Sequence, residues 1–387
     1  MTNVLGAYKP IAYANEALIW LKKALGMAQR VHRGYDEENK ARRKGEPITI
    51  RRPSTFVAQD APATAQDINT GTVTITLDYW KDVAFKLTDR ELAQSDERII
   101  SDHIMPAAYA LADFVDQKLA LLAKDVPTWV DLNATPGSVV TDITNVYQKL
   151  FDQRVPLQNP NELFYMVDGV LQNGFQANAA FSQWNGSGPV GVEAQLSGAL
   201  GRRFGLNLFA NQNVQSHTKG TASTGTLFAN GAALAGATSM AIDANGGGLT
   251  GTLVAGDTFT ISGHTQAYAV TATATASGNA FASVSFTPAL EAGVADNTSI
   301  TASLDNHTMN MAFHRHAFAL VVAPLPSDLL RDNFPGAQIA TAMDPVSGLS
   351  IRASTYYEPR EKTANVSLDI LFGVKTLNPN LAVRARG

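Results

Sequence analysis

The sequence predicts an α+β fold interrupted by an all-β insertion, and three observations carry that reading. At 387 residues the chain is long enough for two or three domains of ~150 residues. Its net charge of −4 hides a partition: residues 22–52 hold ten Lys or Arg against four acids, a +6 segment, leaving −10 for the rest. Residues 220–313 contain no Lys or Arg at all, and within 221–303 Ala, Gly, Ser and Thr fill 54 of 83 positions. A stretch so unlike its flanks reads as an inserted module, bounded near Lys219-Gly220 and Ser303-Leu304.

Taken in order, Asn15 is placed to cap a helix whose Leu18, Leu21, Leu25 and Ala28 form an apolar stripe, with Gly34 as its stop. Ile48 to Arg51 and Thr72 to Leu77 alternate as strands. Between them Pro53 to Gly71 is polar and extended, and a connection of that length is usually functional or disordered. Thr88-Asp89-Arg90-Glu91 matches a capping box. Pro106 suits a first helical turn, after which Ala108, Leu111, Val115, Leu119 and Leu122 repeat at three and four. That spacing predicts a rod of about 28 Å closing before Pro127. Residues 137–220 mix short helices and strands, and 311–325, with Phe318 to Val322, reads as a buried apolar strand. In the module, Thr258–Ser262, Tyr268–Thr271 and Phe281–Phe286 alternate between turn-forming dividers, which predicts a small antiparallel barrel or sandwich. Its Ala/Gly-rich start, 229–248, reads as a mobile loop.

Composition narrows the chemistry. With no cysteine, disulfides, thiolate metal sites and cysteine nucleophiles are excluded, and a reducing compartment is expected. No run approaches the ~18 apolar residues of a membrane span, and Met1 to Leu21 lacks the apolar core of a secretory signal, so neither is expected. Only 17% of residues are charged, which fits a surface that meets other protein. Gly186 to Gly191 matches G-x-G-x-x-G, but no strand pattern precedes it and Asn211 stands where an acid belongs, so it reads as a loop. His314 and His316, two apart on an expected strand with His307 and Asp305 nearby, are too sparse a ligand set for zinc and read as structural or solvent-facing. No G-x-S-x-G elbow occurs. The basic segment 22–52 has three readings: a phosphate contact without base specificity, an amphipathic helix on a membrane, or a solvated face making subunit contacts. Its few aromatic residues favour the last. No catalytic, cofactor-binding or metal residue is assigned, no cofactor is expected, and the chain is not expected to be an enzyme.

The order of these pieces resembles the major capsid proteins of tailed bacteriophages, in particular coat proteins of that fold with an inserted β-barrel. The stretches that carry it are GEPITIRRPSTF (45–56), VTITLDYWKDVAFKLTDREL (73–92), IMPAAYALADFVDQKLALL (104–122), GLNLFANQNVQSHTKGT (205–221), AGDTFTISG (255–263), NMAFHRHAFALVVAPLP (310–326) and 348–387. The resemblance implies an N-terminal helical arm at 1–45, an extended hairpin loop at 46–80 and a peripheral domain with a spine helix at 81–125. An axial domain at 126–220 and 304–345 would be interrupted by the barrel at 221–303, and 346–387 would return to the peripheral domain. It also implies self-assembly into pentamers and hexamers of an icosahedral shell, with scaffolding and portal partners. Double-stranded DNA would be packaged without sequence specificity, no membrane would be involved, and the virion would form in the host cytoplasm. Some shells of this fold crosslink through a Lys on the extended loop; here no Lys lies between Lys44 and Lys81, so a non-covalent shell is expected. The alternatives are a non-viral encapsulating shell of the same fold and, from another class, a β-rich carbohydrate-binding or polysaccharide-degrading protein.

Overall fold

Alternating apolar and β-branched residues make Thr363–Thr376 the longest strand of the chain, and a sheet forms around it. It pairs antiparallel with Tyr79–Thr88 and with Ser350–Glu358, which in turn pairs with Ala337–Met343; Phe318–Ala323 completes five strands. The computed structural model describes residues 10–33, 43–51, 61, 72–88, 100–183, 196–198, 200–223, 227–244, 247–326, 337–344 and 348–387. They fall into two compact units: Met1–Leu25, Arg33–Val115 and Ala319–Lys375 form one; Gly26–His32, Asp116–Phe318 and Thr376–Gly387 the other. The architecture is α+β, and no described helix is long and apolar enough to cross a membrane.

In the first unit one sheet face is apolar, with Leu368, Ile370, Phe372, Ile351 and Ala353 buried. The helix Pro10–Ala24 buries Leu18 and Leu21 as expected, with Ala14 and Ala17 beside them, and the expected Leu25 and Ala28 are buried beyond its end. It starts earlier, however, so Asn15 lies inside the helix and caps nothing; Pro10, with its fixed φ, takes the first turn. It also ends at Ala24, well before Gly34, because the Asp116 carboxylate accepts the N–H groups of Gly26 and Ala28 and holds Met27–Gln29 as a separate 3-10 turn. The strands Pro47–Arg51 and Thr72–Thr76 pair antiparallel from Pro47↔Thr76 to Arg51↔Thr72. A two-stranded ribbon alone is marginal in water; here Ile48, Val73, Ile75 and Leu77 are buried. A Cβ on Gly373 would meet the Thr76 carbonyl oxygen at 2.3 Å, so the ribbon root needs glycine there. The 53–71 connection, apart from residue 61, and Asp89 to Glu91 of the capping box lie outside the described residues.

The long helix runs Met105–Ala120, entered through a π-helical turn at Ile100–Ile104. Ala108, Leu111, Val115 and Leu119 are buried as the spacing predicts. Leu122 is only half-buried. The chain tightens to a 3-10 helix over Leu121–Asp125, and three residues per turn brings Ala123 inward in its place.

The second unit contains a mixed seven-stranded sheet in which Ala382–Arg386 lies between Trp129–Asp131 and His307–His314. Here the expected domain edges differ. Ala382–Arg386 pairs in this sheet, whereas Phe318–Ala323 and Ala337–Met343 belong to the five-stranded sheet. The inserted module closes into a six-stranded barrel over 227–303, each strand bonded to two neighbours, so no edge is left for aggregation. Ile242, Tyr268, Phe281, Val284 and Phe286 fill it. The expectation of a mobile loop at 229–248 fails for Ser239–Ala244, which is a barrel strand with Met240 and Ile242 turned inward. Two large apolar residues at period two outweigh the Ala/Gly composition that masked them.

Candidate functional site

The histidines singled out by sequence separate into two places. His307 begins its strand and donates from Nδ1 to the Asp305 carbonyl at 2.8 Å. Its ring lies 5.1 Å from that of His217, and its pKa is pushed down to about 4, by burial first and then by Arg384, His217 and Arg386. His314 ends the same strand, 3.2 Å from the Glu162 carboxylate through Nε2, while its Nδ1 accepts the His316 N–H. His316 is on the 3-10 turn Arg315–Ala317 rather than the strand, so the expected single face does not exist. It stacks between His314 (5.3 Å) and His32 (4.8 Å). His32 and His314 both have lowered pKa values, burial being the main cause and His316 the next. No group of three acids or histidines among the described residues is arranged to hold a metal ion.

A buried polar hub joins the barrel to the seven-stranded sheet of its unit. Asp257, 1% exposed, accepts from Val254 N–H at 2.7 Å and Gly220 N–H at 3.2 Å, and lies 2.9 Å from His217 Nε2. Arg384, fully buried, donates to the Gly256 carbonyl at 2.8 Å. Burial, then Arg386, lowers its pKa to about 9, while Asp125 and Asp257 oppose the shift. Gly256 has φ +104°, and a Cβ there would meet His217 Nδ1 at 2.9 Å. Arg386 pairs with Asp131 at 3.2 Å, donates to Ser303 Oγ at 2.9 Å and lies over the Trp129 ring. In the sequence Asp257 showed only as a turn residue, and nothing distinguished Arg384 from a surface arginine.

The first unit leaves its other sheet face open. Trp80, 47% exposed, donates from its indole to Asp369 Oδ2 at 2.9 Å. Arg352 bonds the same carboxylate through Nε and Nη2 and reaches the Pro326 carbonyl through Nη1. Tyr356, 49% exposed, lies further along this face. The Trp80 ring is thus held rigid yet left largely in solvent.

Of the basic segment, Lys22 pairs with Asp344 at 2.6 Å, Lys23 lies over Trp20, and Arg30 stacks on Phe209 while bonding the Gly26 carbonyl. Those cations serve internal contacts. Lys40, Arg42 and Arg52, like the Gly186–Gly191 motif, are outside the described residues.

No family model matches the chain, and no curated protein does either. Among solved structures, it is similar to a chain of Mycobacterium phage Che8 at 14% identity, covering 93% of this chain and 90% of that one, with a TM-score of 0.46. It is similar to a chain of the capsid of Cyanophage P-SCSP1u at 11% identity, covering 90% and 85%, with a TM-score of 0.45. A chain of a virus-like particle from Pyrococcus furiosus is similar at 8% identity over 96% and 97%, with a TM-score of 0.41.

Proposed function

We propose that the chain is a structural, non-enzymatic shell subunit: the major capsid protein of a tailed bacteriophage, assembling in the host cytoplasm into an icosahedral shell around double-stranded DNA. The observation that carries the reading is the paired ribbon Pro47–Arg51/Thr72–Thr76, which pins together the ends of the connection 52–71. A connection of that length is commonly functional, and in this reading its role is contact with another copy of the chain. The surrounding order of elements supports the same reading: basic helical arm, ribbon, long helix, mixed sheet, then closed barrel before the chain returns. In this reading pentamers and hexamers of the chain close the shell, and scaffolding and portal proteins act during assembly. Trp80, fixed by its bond to Asp369, and the exposed Tyr356 suit subunit contacts, where aromatic anchors concentrate binding energy.

Electron microscopy of the purified chain tests this. Closed particles are expected, and particles assembled in cells that also supply the packaging proteins should hold DNA that survives external nuclease. Particles from such cells that hold protein cargo and no DNA would favour a non-viral encapsulating shell, and a stable 41.2 kDa monomer at all concentrations would overturn assembly altogether.

A further inference from the structure

The second unit carries a cleft of about 480 Å³ where the barrel wall meets the sheet and helix beside it. Such a volume is ordinary for a small-molecule site. Part of its lining is committed to holding the walls in shape. Glu291 accepts from the Thr265 N–H and hydroxyl and from the Gln266 N–H. Gln266 in turn donates to the Ala289 carbonyl and accepts from Asn380. The rest is uncommitted. Gln153 donates to the Thr128 hydroxyl but leaves its buried Oε1 with no hydrogen-bond partner. Lys149 and Asp152 sit three apart on the helix Thr141–Asp152, both lining the cleft. Trp129 provides the one aromatic ring. Arg386 lies 4.3 Å from its centroid and holds the ring in place.

This chemistry discriminates among ligands. Lys149 against Asp152 and Glu291 leaves the cleft with a net charge of −1, which repels a phosphate, and no group of three acids or histidines among the described residues is arranged to hold a metal ion. Trp129 and Ala267 are its only apolar residues, too few to receive an acyl chain. What remains is a set of donors and acceptors beside an aromatic ring: the Lys149 ammonium, the Asp152 carboxylate and the Thr260 hydroxyl. Sugar hydroxyls both donate and accept, and the apolar body of Trp packs flat against rings. We infer that this cleft binds a neutral oligosaccharide, with Trp129 as its platform and Lys149 and Asp152 orienting the hydroxyls. The inference is independent of shell assembly.

The test uses the full-length chain with maltotetraose, cellotetraose and chitotetraose in turn, read by saturation-transfer NMR and calorimetry. At least one is expected to bind, and Trp129→Ala and Asp152→Ala should each weaken it by about tenfold, 1.4 kcal/mol. Trp80→Ala, on the other unit, should leave binding unchanged. Because Asp152 is exposed, its variant keeps the test valid should Trp129→Ala fail to fold. Binding of none of the three sugars, undiminished binding by Asp152→Ala, or displacement by inorganic phosphate would each overturn the inference.

Discussion

Asp257 shows how one side chain can anchor a domain. Its oxygens accept from Val254 and Gly220 and face His217, all in a water-excluded junction. Removing one partner of such a cluster strands the others, so Asp257→Ala should cost about 3–5 kcal/mol in urea unfolding. A loss below about 1 kcal/mol, the value of a surface pair, would show that the hub contributes little. His307 gives the junction a pH dependence. Its folded pKa of about 4 lies below the ordinary 6.5, so the unfolded chain binds a proton that the folded chain refuses. Stability contributed by the neutral ring is therefore complete above about pH 6.5 and is lost as pH falls toward about 4. His314, shifted the same way, adds to the slope. His307→Gln should flatten the fall in urea midpoint across this window; an unchanged slope would remove His307 from the account.

At the scale of elements, the long helix is the clearest translation of pattern into packing. Ala108, Leu111, Val115 and Leu119 recur at helical spacing and are buried at 2% exposure or less. A charge at Val115 would be buried unpaired, so Val115→Asp should leave the chain insoluble or unfolded by circular dichroism; a soluble, folded variant would contradict the packing described. Three barrel strands are equally legible from alternation; Leu227–Ala229, Ser239–Ala244 and Ser299–Ser303 are not, being short or rich in small residues. Helix ends were read poorly. The N-terminal helix stops where Asp116 takes the backbone donors of Gly26 and Ala28, some 90 residues away in the chain, and no local pattern reports a distant acceptor.

For the whole molecule, the proposed shell would be held by packing alone. The chain has no cysteine, and no lysine lies between Lys44 and Lys81, so the 52–71 connection carries no amine for an amide crosslink. Particles boiled in detergent should run as a single 41.2 kDa band; covalent ladders would refute this. The cation-free barrel contrasts with the basic arm, and such a field keeps polyanions at a distance.

The sequence by itself determined the α+β class, the existence of the all-β insertion, the long helix and the strands on either side of the 52–71 connection. Those features arise from local periodicity and composition, which survive in one dimension. Only the tertiary structure decided that Ala382–Arg386 completes the seven-stranded sheet, that His307 parts from His314 and His316, and that Asp257, His217 and Arg384 meet beneath the barrel. The 480 Å³ cleft likewise draws Trp129, Asp152 and Thr260 from segments far apart in the chain. Such sites depend on which distant groups share a desolvated space, and burial and pairing of that kind leave no repeating mark along the chain.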